Sequence, residues 1–249
     1  MKLFIYLINP CIPLLVYIVG CNTKKVDTAH SKNKPKAKHT TLQVVTTTTN
    51  TNTATYTQVI NNIAAQKNKL KKEYTNMDVP NYNKAATTIS KAFENQLLPY
   101  WLGTPWDFNG TTQVPGTGAI ACGYFVTTTL AHLGVQIDIA KYAQCGSEVM
   151  MKYLVAKENY KIYNQLTFKE FIAQLKSKPN FFAIVGLDFH TGYLLKNGTN
   201  LYFIHSSYIN HSGVIKQVAA ESSELQSSKW KSVAFITSDA AFLQKWLAT

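Results

Sequence analysis

The chain has 249 residues, a hydrophobic fraction of 46% and a formal net charge of +12, which suits one catalytic domain of ordinary size with tails. All 25 basic residues are lysines, so bidentate guanidinium contacts to phosphate or guanine are excluded. Residues 1–72 hold eleven lysines and one aspartate (+10), whereas the other 177 residues hold 14 lysines and 12 acidic residues (+2). Because the charge is concentrated near the N-terminus and does not form a basic folded face, we expect no nucleic-acid partner.

The first twenty residues have the pattern of an export signal. Lys2 precedes the apolar run LFIYLINPCIPLLVYIVG, which is too short and too interrupted by proline for a stable membrane span. The run ends in Ile18-Val19-Gly20-Cys21, which resembles the lipobox of bacterial lipoproteins. This resemblance implies that Cys21 carries the lipid, a palmitate-type anchor, and that the protein is held on a bacterial membrane in the cell envelope, on the periplasmic or the surface side. The alternatives are an ordinary signal peptide and an uncleaved anchor.

Residues 21–57 are rich in Lys, Thr and Asn and hold few large apolar side chains. Such a segment buries too little surface to offset its chain entropy, which predicts a disordered tether. We therefore expect one folded domain over residues 58–249, and a monomer.

Within this domain, hydrophobic periodicity and turn residues predict helices before strands. The predicted helices cover residues 59–72, 84–98 (ended by Pro99), 120–133, 138–156, 167–177 and 239–247. Thr167 and Glu170 form a capping-box pattern, and residues 100–118 are typical of a loop. The predicted strands cover residues 181–187, 192–196, 201–207, 213–218 and 232–237, with a hairpin at Asn197-Gly198. Helices followed by an antiparallel meander predict an α+β domain.

Cys122 has the sequence context of a nucleophile. It follows a glycine-rich, aromatic-bearing loop and opens a predicted helix, where the helix dipole and free N–H groups favour a thiolate. The domain's other cysteine, Cys145, lies within a predicted helix and is interpreted as a core residue. A disulfide between the two is an alternative, because the envelope permits disulfides.

Two histidines lie on neighbouring predicted strands, across the Asn197-Gly198 hairpin. His190 heads one strand and His205 lies in the next, so one ring can act as a base while the other orients it. His132, inside an apolar helix, is interpreted as structural, and His211 as a loop residue that could line a cleft. Metal ligation by His190, His205 and His211 is the competing interpretation, but neither HExxH nor paired CxxC spacing is present, so we expect no metal and no cofactor.

Taken together, residues 101–207 resemble the papain-like bacterial cell-wall cysteine peptidases of the NlpC family and their CHAP relatives. The motifs that carry the resemblance are Gly103-Thr104-Pro105-Trp106 with Gly110, Ala121-Cys122-Gly123-Tyr124, His190-Thr191-Gly192-Tyr193 and Phe203-Ile204-His205-Ser206. The chain departs from the family where Ala121-Cys122-Gly123-Tyr124 replaces Asp-Cys-Ser-Gly, and where Trp106 replaces tyrosine.

The resemblance implies a papain-like domain with its nucleophile at a helix start packed on an antiparallel sheet. It also implies a thiol hydrolase that cleaves amide bonds in peptidoglycan stem peptides, with Cys122 as nucleophile, His190 as base, His205 as orienter and the Cys122 N–H as one oxyanion donor. The expected substrate-binding residues are Tyr100, Trp106, Asp107, Gln113 and Tyr124. Two alternatives stay open: a non-catalytic lipoprotein that binds envelope peptides or proteins, and an amidase or acyltransferase with a non-murein substrate.

Overall fold

A computed structural model of the protein describes residues 53–74 and 79–249. The predicted export signal, the predicted lipidation site Cys21 and the first part of the predicted tether lie outside these residues. No helix in the described chain is both long enough and apolar enough to cross a membrane.

Helices occupy most of the first half of the described chain and recur between the strands. The α-helices are α1 (Thr53–Glu73), α2 (Val79–Lys91), α3 (Leu98–Trp101), α4 (Cys122–His132), α5 (Ile139–Ala143), α6 (Ser147–Leu154), α7 (Phe168–Lys176), α8 (Ser223–Ser227) and α9 (Ala240–Ala248). A π-helical segment, Ala92–Leu97, joins α2 to α3. The predicted capping box is present, because Thr167 and Glu170 exchange side-chain and backbone hydrogen bonds at the start of α7.

The strands form one antiparallel sheet with the order β1-β6-β2-β3-β4-β5. They are β1 (Tyr160–Ile162), β2 (Phe181–Leu187), β3 (Thr191–Asn197), β4 (Asn200–Ser207), β5 (Gly213–Val218) and β6 (Lys231–Ala234). The predicted hairpin joins β3 to β4, with Asn197 paired to Asn200 and Gly198 at φ +61°. Mixed helices and an antiparallel sheet confirm the α+β class.

Both faces of the central strands are covered. Phe182 and Ile184 of β2 belong to a core shared with α1, α2, α4 and α9, whereas Ala183 and Val185 belong to a second core beneath α7. This alternation follows from the two-residue repeat of a strand. Because β2 is buried throughout, the sheet is the middle layer of the domain.

Several element boundaries differ from the prediction. The helical chain continues past Pro99 to Trp101, because the π-helical segment starts a new turn at Leu98 and places the proline where its missing N–H costs nothing. The helix predicted over residues 138–156 is split into α5 and α6, with Gly146 in extended conformation between them. The last strand stops at Ala234, because the Thr237 side chain bonds the Phe182 backbone instead of continuing the ladder.

The first helix begins at Thr53, inside the segment predicted as tether. Tyr56 is only 3% exposed and explains the earlier start. Its hydroxyl accepts from Trp101 Nε1 at 2.6 Å and bonds His132 Nδ1 at 2.9 Å. Tyr56 therefore fastens α1 to α3 and α4, and His132 has the structural role expected of it.

We predict that Tyr56→Phe lowers the free energy of unfolding by about 1–3 kcal/mol, because Trp101 Nε1 and His132 lose their buried partner. Chemical denaturation followed by circular dichroism measures the change. The control is Tyr153→Phe at a residue that is 43% exposed, and equal effects of the two substitutions would contradict the assignment.

Candidate functional site

Cys122 is the first residue of α4, which begins two residues after the predicted start at residue 120, and its side chain is half-buried. Ala121 precedes it in extended conformation and provides no side-chain cap, so the first-turn N–H groups of α4 are left to other acceptors. Burial raises the pKa of the Cys122 thiol, while hydrogen bonds from the backbone N–H groups of Thr191, Gly123 and Cys122 itself act in the opposite direction. The sulfur therefore lies where a negative charge has donors but little solvent.

A close backbone approach holds this helix start in place. A Cβ on Gly123 would lie 2.3 Å from the carbonyl oxygen of Ala143, so glycine lets the end of α5 pack against the residue that follows the cysteine. Cys122 is a free thiol, which excludes the Cys122–Cys145 disulfide.

His190 and His205 are in direct contact, as the hairpin predicted. His190 Nε2 and His205 Nδ1 are 2.7 Å apart, and the two rings are 6% and 0% exposed. Burial lowers the pKa of His190 to about 4. Burial also lowers the pKa of His205, an effect that His190 increases and Glu224 opposes. Both imidazoles are therefore neutral at neutral pH.

The pairing settles which atom of His190 is available for chemistry. Because Nε2 faces His205, Nδ1 is the nitrogen left for another partner. His190 and Cys122 line the same cavity, and the Cys122 sulfur accepts from the N–H of Thr191, the residue directly after His190.

Glu224, on the far side of His205, was not identified from the sequence. This carboxylate is 4% exposed, and its Oε1 lies 3.8 Å from His205 Nε2. Gln217 Nε2 lies 2.9 Å from the same His205 nitrogen and donates to Glu224 Oε2 at 3.4 Å. The side chains form one chain in the order His190, His205, Gln217 and Glu224. The sequence gave no signal for this arrangement, because Glu224 lies in a serine-rich short helix and Gln217 lies in a strand, where neither residue type suggests a site.

Gly192 makes room for the histidine pair. A Cβ at this position would lie 2.7 Å from the Cβ of His205 and 2.7 Å from the carbonyl oxygen of Ile204. The Phe203 ring stacks on His205, with 3.9 Å between ring centroids, and fixes the imidazole from the other side. The glycine two residues after His190 is thus part of the site's packing.

A cavity of about 700 Å³ opens beside Cys122 and His190. Its walls come from residues 142–150 around the break between α5 and α6, residues 187–191 at the turn between β2 and β3, and residues 227–230 before β6. Cys145, interpreted from the sequence as a core residue, lies instead in the bend after α5 and lines this cavity. The reason is the break in the predicted helix, which places residues 144–146 at the surface of the domain.

The five predicted substrate-binding residues do not line this cavity. Tyr100 packs on Tyr56, with 5.5 Å between ring centroids. The Tyr124 hydroxyl accepts from Gln144 Nε2 at 2.8 Å. Asp107 is exposed and caps its own turn by accepting from the Asn109 N–H, and Gln113 is exposed in the same loop. The loop folds against β5, through bonds between Gly103 and Val214 and between Val214 and Thr104, and so lies away from the cavity.

Trp106 alone among the five lies near the histidines, through Tyr208. Its ring centroid is 6.2 Å from that of Tyr208, which is in turn 5.3 Å from that of His190. His211 is an exposed loop residue, as predicted, and its ring centroid lies 6.0 Å from that of Trp106. Trp106, Tyr208 and His211 form an aromatic cluster beside the histidine pair.

Asp188 does not contact His190 through its carboxylate. It accepts from the backbone N–H groups of Lys229 and Trp230, at 2.7 and 2.9 Å, and so ties the turn between β2 and β3 to the start of β6. Residues 53–74 and 79–249 hold no group of three or more His, Cys, Asp or Glu side chains arranged to bind a metal ion.

We predict that Gly192→Ala lowers the free energy of unfolding by about 1–3 kcal/mol, because the added methyl displaces His205 or the β4 backbone. Gly146→Ala is the matched control, since its Cβ would meet nothing within 4 Å; we expect its effect to stay within about 0.5 kcal/mol. Denaturant titration measures the free energy of unfolding of both variants. Equal stability of the two would show that a methyl group at position 192 does not clash with His205 or the β4 backbone.

We also predict that stability falls as the pH drops from about 6.5 to about 4. The pKa values of His190 and His132 are both lowered to about 4 in the folded protein by burial. Between these pH values the two histidines bind protons in the unfolded chain but stay neutral in the folded protein, so protonation favours unfolding. Urea titrations at several pH values measure the slope. Because burial also lowers the pKa of His205 in the folded protein, His205→Gln should flatten the slope. A slope equal to that of the native protein would contradict this.

Comparisons with models of known families, with curated proteins and with solved structures find no match to this chain. The site itself combines a free thiol at a helix start with a paired imidazole, and both line one cavity.

Proposed function

We propose that the protein is a membrane-anchored cysteine hydrolase of the bacterial cell envelope, with a papain-like domain that cleaves an amide bond in peptidoglycan stem peptides. The observation that carries the proposal is the 2.7 Å contact between His190 Nε2 and His205 Nδ1, beside a cavity that holds the Cys122 thiol. It supports a nucleophile, a base and an orienting group in the order that acyl transfer requires.

The reaction follows from these positions. The Cys122 proton passes to His190 Nδ1, and the sulfur attacks the carbonyl carbon of the amide. His190 then returns the proton to the leaving amine, and a thioester remains on Cys122. Water, deprotonated by His190, hydrolyses this acyl-enzyme and frees the carboxylate product.

The N–H groups at the start of α4 support both charges that form during the reaction. Those of Cys122 and Gly123, joined by the Thr191 N–H at the start of β3, approach the sulfur and stabilise a thiolate. The Cys122 N–H is also the proposed donor to the oxyanion of the tetrahedral intermediate.

The cavity supports a peptide as substrate. Its volume of about 700 Å³ lies within the range of small-ligand sites. Its walls combine the Tyr142 and Trp230 rings with the charged residues Glu148 and Lys229, groups that suit a short peptide bearing both apolar and charged parts. The lipobox-like sequence and the resemblance to cell-wall peptidases favour a stem peptide, and a membrane anchor would hold the domain near this polymer.

We predict that the full-length protein releases new amine ends from purified sacculi, and that Cys122→Ala and His190→Ala abolish the release. His205→Ala should lower the rate by about 100-fold or more, because His190 loses the partner that orients it. Amine labelling and mass spectrometry of the soluble products measure the rate and identify the bond. His211→Ala is the control, since this exposed ring lies outside the histidine pair.

Two outcomes would replace the proposal. Binding to sacculi without release, equal for the native protein and Cys122→Ala, would indicate a binding protein; the raised pKa of the buried Cys122 thiol is the observation that favours this candidate. Products that carry a new acyl group in place of a free carboxylate would indicate an acyltransferase.

A further inference from the structure

We infer that Glu224 is a positioning residue of this site: its buried carboxylate acts through His205 to stabilise the positive charge that the histidine pair acquires when Cys122 loses its proton. The inference rests on the proposed function, since it assigns a role within the same reaction. It concerns a residue that follows His190 in the chain by three strands, β3, β4 and β5, and lies on the side of the pair away from the cavity.

The carboxylate of Glu224 is held by hydroxyl groups. Ser207 donates to Oε1 at 2.7 Å, and Ser222 and Ser223 donate to Oε2 at 3.0 and 3.3 Å. Burial alone would raise the pKa of Glu224. The opposite effect is larger and keeps the pKa below its ordinary value: it comes from the hydrogen bonds of Ser207, the Glu224 N–H and Ser222, and from the charge of His205. Glu224 is therefore ionised at neutral pH although it is almost fully buried.

A buried charge is costly unless an opposite charge compensates it. Among the ion pairs of the part of the chain that the structure describes, Glu224 has one partner, His205, at 3.8 Å. Because His205 is neutral at rest, the serines satisfy the hydrogen-bonding capacity of the carboxylate without cancelling its charge. The uncompensated charge favours any step that makes the histidine pair positive.

Proton transfer from Cys122 is such a step. The thiol proton binds His190 Nδ1 while His190 Nε2 keeps its proton in the 2.7 Å bond to His205 Nδ1. In that arrangement His205 carries its own proton on Nε2, which faces Glu224 Oε1 at 3.8 Å, and the Gln217 amide, whose nitrogen lies 2.9 Å from this atom, turns its oxygen toward the proton. The thiol loses one proton, the histidine pair gains it, and the resulting positive charge lies next to the carboxylate.

Other charged or titratable groups near the pair cannot take this role. Asp188, Glu148 and Lys229 line the cavity, where Asp188 binds two backbone N–H groups and Glu148 pairs with Lys152 at 2.6 Å. Tyr208 packs against His190, and the pKa of its phenol is raised by burial and by the charges of Glu224 and Cys122, so it stays protonated. Glu224 is the carboxylate paired with His205 behind the cavity.

The test is the pH dependence of Cys122 alkylation in the full-length protein. Iodoacetamide reacts with the thiolate, so the rate across pH about 5 to 10, read on the Cys122 peptide by mass spectrometry, reports the thiol pKa. We expect Glu224→Gln to slow alkylation at pH 7 by at least about tenfold and to move the profile to higher pH. Glu224→Asp, which keeps the charge, should restore part of the rate.

The matched control is Glu221→Gln, which removes an exposed carboxylate from the turn just before α8 and should leave the profile unchanged. Thermal melts establish that each variant is folded. If Glu224→Gln does not fold, Ser207→Ala replaces it. This variant keeps the carboxylate and removes its 2.7 Å bond to Oε1, together with the bond from the Ile209 N–H to the same hydroxyl, and it should shift the profile in the same direction by a smaller amount.

The inference is overturned if folded Glu224→Gln, or Ser207→Ala in its place, has the same alkylation profile as the native protein. Release of amine ends from sacculi by the native protein would still support the proposed function in that case. Conversely, a shifted profile in a native protein that releases nothing from sacculi supports the role of Glu224 and rejects the peptidoglycan substrate.

Discussion

The hydrogen bond between His190 and His205 is the constraint on which the site depends. The two residues are 15 positions apart, and the short turn at Gly198 with the β3–β4 register places them in contact. Gly192 leaves the space that the His205 side chain requires, and Phe203 stacks on its ring. The contact also occupies Nε2 of His190, so the proposed reaction uses Nδ1. In that reaction, backbone topology selects the reacting atom.

Burial opposes charge at every member of this site. It raises the pKa of Cys122 and lowers the pKa of His190, which favours a neutral thiol and neutral imidazoles at rest. Reactivity therefore requires fixed charges and dipoles that offset the cost of separating charge. The N–H groups at the start of α4 lie at one end of the site and Glu224 lies at the other. The sheet holds them on opposite sides of the histidine pair, so each faces the charge that it can stabilise.

Local patterns predicted a large part of this fold. The bounds of β2 and β5, the capping box of α7, the β3–β4 hairpin and the position of Cys122 in the first turn of a helix follow from hydrophobic periodicity and turn residues that act over a few positions. The break at Gly146 and the continuation past Pro99 could not be predicted in this way. They depend on the packing of α5 against Gly123 and on the π-helical segment before Leu98. Glu224 was missed for the same reason, since only the folded chain brings it to His205.

The position of the cavity changes which residues are expected to select a substrate. The sequence directed attention to the loop before Cys122, but that loop bonds to β5 and leaves the opposite side of the thiol open. The open side is bounded by the α5–α6 bend, the turn that carries the 92% exposed Phe189, and the segment before β6. These three segments are remote from one another in sequence, and each is an irregular connection between packed elements. Connections can change without disturbing the sheet that fixes His190 and His205. Under the proposed function, substrate choice and catalytic geometry therefore depend on separate parts of this domain.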